Sequence, residues 1–156
     1  TLAHFLAPNR SIAVSQRRTC GAFGGIIMTG DLWALAAALV LASVQLSISS
    51  VLTLRQLGGE WVAGPRDTPR EVTGVSGRIV RAHRNLLEIF PQFVAALFVV
   101  HAAHTAGSLA QTGAWIFVAA RTLYVPAYVF APPGVRPICW TAAWVGIIVI
   151  LADLFW

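Results

Sequence analysis

From Leu32 to Leu54 the chain runs 23 residues without a charged side chain. Wound as a helix, that stretch is roughly 34 Å long, enough to cross a hydrocarbon layer of about 30 Å with some tilt. Three further apolar stretches follow, and the pattern predicts spans at about 31–57, 76–104, 108–130 and 137–156. Helices satisfy their own backbone in lipid, so four such runs predict an all-α integral membrane four-helix bundle rather than a barrel or an open sheet. Composition agrees: 57% of residues are hydrophobic and 11% charged, with mean hydropathy +0.72. A soluble domain carries about a quarter charged residues. A soluble globular enzyme and a disordered chain are both excluded on that ground.

Residues 1–27 read differently from the rest. They hold Pro8, Arg10, Arg17, Arg18 and several glycines without sustained periodicity, and the only methionine, Met28, stands just before the first apolar run. The expectation is a poorly ordered N-terminal extension before a 28–156 membrane domain, with Met28 a candidate start. A cleaved secretory signal fits badly, because the run from Leu32 is too long for a signal core. All eleven basic residues are arginine, and those of the spans orient the chain. Arg55, Arg66, Arg70, Arg78 and Arg81 lie in or beside the first connection and Arg136 follows the third, whereas the second has none. The excess of positive charge predicts cytoplasmic first and third connections. Basic residues alternating with aromatics are missing, so no nucleic-acid partner is expected. Cys20 and Cys139 match no metal or disulfide spacing, and no metal site is expected.

The chemistry concentrates at the start of the second span. Arg78, Arg81, Asn85 and Glu88 are spaced by three, four and three residues, which places them on one helix face. Arg84 stands beside them, four residues before Glu88, and is expected to pair with it. Ionisable groups entering a membrane helix are costly and face a protein interior or a water-filled cavity. A salt-bridge network that fixes assembly is one reading. The other is a site for an anion, since the positive and amide groups outnumber Glu88. A second set, Arg121, Tyr124 and Tyr128, shares a face of the third span, with Pro126 between the tyrosines expected to kink it. Arg136 opens the fourth span on the same side, so a site between helices follows.

The run Arg81-Ala82-His83-Arg84-Asn85-Leu86-Leu87-Glu88, followed by Phe90-Pro91, resembles the second-helix signature of the MAPEG family, the membrane-associated proteins of eicosanoid and glutathione metabolism. Arg121, Tyr124 and Tyr128 on the third span and Arg136 at the head of the fourth extend the resemblance over about residues 31–156. The piece from Glu60 to Asp67 is similar to the first connection of bacterial members. The resemblance implies a homotrimer in a bacterial inner membrane, with glutathione as co-substrate at the subunit boundaries. Matched by position, Arg81, Arg84, Asn85, Glu88, Tyr124 and Tyr128 would bind glutathione, with Arg55 contributing from the end of the first span. Arg136 would be the catalytic arginine that stabilises the thiolate. Arg121 is grouped with the binding residues, or is a structural cation buried against Glu88 or the trimer centre. Ile89 and Pro137 depart from the eicosanoid-forming members, which carry a tyrosine and a serine there.

The function expected is a membrane-bound glutathione transferase or peroxidase whose lipophilic second substrate, an electrophile or hydroperoxide, arrives through the membrane lipid. The alternative is a non-catalytic scaffold of the same fold that binds lipid or a small anionic ligand. Several residues read as structural: His83 as a headgroup or cytoplasmic contact, His101 and His104 as interfacial packing, and Asp153 as an interfacial charge. Ser43, Ser47 and Ser50 read as a small-residue helix contact.

Overall fold

The structure is a computed structural model that describes residues 28–130 and 134–155. The expected N-terminal extension, Cys20 and Trp156 lie outside the described residues. Among the described residues the α-helices are, in order, α1 (Gly30–Leu57), α2 (Gly59–Ala63), α3 (Gly74–Ala102), α4 (Ser108–Phe130) and α5 (Val135–Ala152), closed by a 3-10 turn at Asp153–Phe155. Among the described residues α1, α3, α4 and the α5 segment are long and apolar enough to cross a membrane. The chain is a multi-pass, all-helical integral membrane protein.

Helix boundaries follow local chemistry. The third span is Ser108–Phe130. The fourth begins two residues earlier than expected because Pro137 falls in the first turn of α5, where backbone N–H groups have no intrahelical acceptor anyway. Gly134, at φ 110°, supplies the reversal before it. α2 is one turn of helix inside the polar first connection. α4 stays helical through Pro126, whose ring nitrogen has no hydrogen to give to the carbonyl one turn back.

α1 and α3 run antiparallel and are tied at both ends. At one end the Gln56 amide brackets Thr73, accepting from its N–H at 3.0 Å and donating to its carbonyl at 3.3 Å. At the other, His101 Nε2 meets the buried Asp31 carboxylate. Asp31, Ala34, Ala38, Ala42, Gln45 and Ser49 form the buried stripe of α1, with the spacing of one helix face. Ser43, Ser47 and Ser50 lie outside that stripe and are exposed. The hydroxyls of Ser43 and Ser47 donate to carbonyls one turn back in their own helix. Among the described residues the expected serine contact is therefore not made.

α4 and α5 cross closely at glycine. A Cβ on Gly113 would stand 2.5 Å from the Gly146 carbonyl oxygen, and one on Gly146 would stand 2.7 Å from that of Gly113. Small residues at such crossings let backbones approach, which is how helices gain contact in lipid without a hydrophobic driving force between them. Between α3 and α4, Phe93 and Phe117 stack in parallel with centroids 4.0 Å apart, both fully buried. Arg78 then reaches from the start of α3 to the Val129 carbonyl near the end of α4, at 2.8 Å. That bond fixes the start of α3 against the end of α4, at the end of the bundle that carries the arginine-rich connection.

Asp153, expected as an interfacial charge, does not stand exposed at the end of its span. It is buried, and its Oδ2 accepts from the backbone N–H groups of Gly107 at 2.7 Å and Ala110 at 2.8 Å. The carboxylate thus caps the N-terminus of α4 from the far end of the chain, where orphan N–H groups and the helix dipole favour an anion.

Candidate functional site

A cavity of about 470 Å³ opens where α3 begins, α4 ends and α5 begins. Its walls are Arg81, Arg84, Asn85 and Glu88 from α3, Tyr124 and Tyr128 from α4, and Arg136, Pro137 and Trp140 from α5. The sequence places them there for a simple reason. Spacings of three and four bring one face of each helix to one seam, and the seam is polar on all three helices at the same end of the bundle. Seven of the nine expected site residues meet in this cavity. Its volume falls within the range of about 300–1,000 Å³ found for small-molecule sites.

The other two lie elsewhere. Arg55, exposed in the last turn of α1, is not among the lining residues. Arg121 lies behind the wall and is 1% exposed. Its Nη1 and Nη2 donate to Asn85 Oδ1 at 3.1 and 3.2 Å. Asn85 Nδ2 in turn donates to Glu88 Oε2 at 3.0 Å. The order of this relay is forced. Guanidinium has only donors and carboxylate only acceptors, so the amide must turn its oxygen to Arg121 and its nitrogen to Glu88. Arg121 therefore reaches Glu88 through Asn85 rather than directly. Its guanidinium also lies over the Tyr124 ring at 4.6 Å, and its Nε is buried without a partner.

The expected Arg84–Glu88 pair is not formed; among the described residues the ion pair is His101–Asp31. Glu88 is engaged by Asn85 instead, and Arg81 and Arg84 stay exposed and free of carboxylates. Arg136 stacks over Tyr128 at 4.9 Å, which holds its charge toward the cavity without neutralising it. Tyr124 and Tyr128 make a tilted pair at 5.7 Å.

Beside Pro137, Trp140 is the lining residue that the expected set does not include. It stands one turn after Arg136 on the same face of α5 and meets the Trp144 ring at 5.9 Å. The i, i+4 spacing from Arg136 was the available signal. His83 corrects its expectation outright. At 7% exposure it is buried rather than an outward contact, and among the described residues neither ring nitrogen has a hydrogen-bond partner. Its place on α3 turns it off the cationic face, into the bundle.

The donor set suits a small ligand that carries both negative and positive groups. Guanidinium forks match carboxylates, and an acceptor-only Glu88 matches an ammonium. No curated protein matches the chain. A family model does: that of the MAPEG family matches residues 4–156, nearly the whole length, and the chain belongs to that family.

Proposed function

We propose that the protein is a membrane-bound, glutathione-dependent transferase or peroxidase acting on a lipophilic electrophile or hydroperoxide. Family membership supports glutathione-related transferase or peroxidase chemistry at that coarse level. The observation that carries the finer reading is the meeting of three uncompensated arginines with Glu88 and two tyrosines around one cavity. Arg81 and Arg84 take the carboxylates of glutathione by forked hydrogen bonds. Glu88, already oriented by Asn85, takes its ammonium. Arg136 lies across the cavity, on the tyrosine side, and holds the sulfur as thiolate. A free thiol with pKa near 8.5 is mostly protonated at neutral pH, so this charge decides the nucleophile fraction. The thiolate then attacks the electrophile that enters from the lipid. In the same reading the protein is a homotrimer in a bacterial inner membrane, with its first and third connections cytoplasmic.

Titration calorimetry of the detergent-solubilised protein with glutathione tests binding, and ultraviolet difference absorbance tests the thiolate. Wild type is expected to bind and to show the thiolate band, and Arg136→Ala to bind without it. An unchanged band in Arg136→Ala removes that residue from the role. Binding without turnover of a generic electrophile favours a scaffold of the same fold instead.

A further inference from the structure

A second cavity of about 330 Å³ lies beside the first, where the connection between α1 and α3 folds back over the helix ends. Arg66, Arg70, Arg81 and Arg84 line it with a single carboxylate, Glu71. Among the described residues none of these four arginines forms an ion pair, and Glu71 forms none either. Arg66 is held in place, donating to the Val62 carbonyl at 2.8 and 3.2 Å and lying over the Trp61 ring at 5.5 Å. Four unneutralised guanidinium groups around one hollow favour a multiply accepting anion such as a phosphate.

Depth and surroundings choose the source of that phosphate. The cavity sits where α1 ends and α3 begins, at the boundary of the spans, and Thr53 and Leu57 of α1 form its inner wall. In the same last turns of α1, Val51 and Leu54 are exposed apolar side chains. An occupant with a phosphate at one end and hydrocarbon at the other satisfies both surfaces at once. Basic pockets at this level of a membrane helix pair suit anionic headgroups.

We propose that this second cavity binds the headgroup phosphate of an anionic phospholipid, with the acyl chains lying along α1. The two cavities share Arg81 and Arg84, whereas Arg66 and Arg70 line the second and not the first. Those two residues are therefore the ones to change.

The test is equilibrium binding of fluorescent short-chain phosphatidylglycerol, against phosphatidylcholine of identical chains, to the full-length protein in neutral detergent. Phosphatidylcholine carries the same phosphate, but its ammonium is repelled by the arginines. Wild type is expected to prefer phosphatidylglycerol by about tenfold or more. The double variant R66Q/R70Q is expected to lose that preference, and Glu71→Gln to bind phosphatidylglycerol several-fold more tightly. A gain in Glu71→Gln cannot come from misfolding. Inorganic phosphate is expected to compete only at far higher concentration. Equal binding of the two lipids by wild type, a preference surviving in R66Q/R70Q, or displacement by equimolar inorganic phosphate would each overturn the assignment.

Discussion

Arg121 shows how much one buried charge can organise. A guanidinium removed from solvent costs several kcal/mol unless its donors are used. Two of them converge on Asn85 Oδ1, and through that amide they fix the direction in which Glu88 presents its carboxylate. Arg121→Leu leaves that part-buried oxygen without its donor, a loss of about 1–3 kcal/mol. Combining it with Asn85→Leu removes both halves of the contact. The double variant is therefore expected to unfold in detergent at a temperature above that given by summing the single effects. Strict additivity in thermal melts would show that the relay contributes nothing as a unit. His83 presents the opposite case, a buried polar ring with no partner on either nitrogen. Replacing such a group with an apolar one of similar size is neutral or stabilising. His83→Leu is expected to leave the melting temperature unchanged or raise it, and a fall of several degrees would mean that the ring has bonding partners, such as an internal water.

At the scale of elements, contacts between distant parts of the chain decide where the helices sit. Asp153 caps α4 across 46 and 43 residues of sequence. Asp153→Ala is expected to cost about 1–2 kcal/mol, with Asp153→Asn recovering part of it because an amide oxygen can still accept. Equal stability of all three proteins would deny the cap any role. Gly113 and Gly146 set the α4–α5 spacing, and Gly146→Val forces the backbones apart at an expected cost of about 1–3 kcal/mol. These contacts explain what was legible beforehand. The four spans could be read because hydropathy is a local property of a window, and the cationic face because three-and-four spacing is local to one helix. The cap could not, since Asp153 looks like any charge near a span end until α4 is beside it. The Gly113–Gly146 crossing was equally hidden, each glycine being isolated within its own helix. Arg84 and Glu88 were expected to pair on spacing alone. The spacing is right, but Asn85 is the nearer partner and takes the carboxylate.

For the whole molecule, the placing of Arg55 becomes a question about assembly. The first cavity is built by α3, α4 and α5, and α1, which carries Arg55, contributes nothing to its walls. Meanwhile the outer face of α1 is lined with exposed Leu39, Val40, Leu46 and Ile48, apolar surface that either lipid or a second copy can cover. If the proposed homotrimer forms, Arg55 of one protomer can complete the cavity of its neighbour even though it is absent from its own. The two arrangements make different predictions for mixed assemblies. Arg55→Ala and Arg136→Ala should each lower glutathione-dependent turnover when expressed alone. Should each site draw Arg55 and Arg136 from different protomers, co-expression restores complete sites in roughly a quarter of positions under random mixing of the two chains. Should both arginines serve the same protomer's site, every site stays defective and no recovery appears. Recovered activity in co-purified, differently tagged assemblies would thus assign Arg55 to the neighbouring subunit. Its lack, with both variants assembled, would remove Arg55 from the shared site and leave the seven convergent residues to bind unaided.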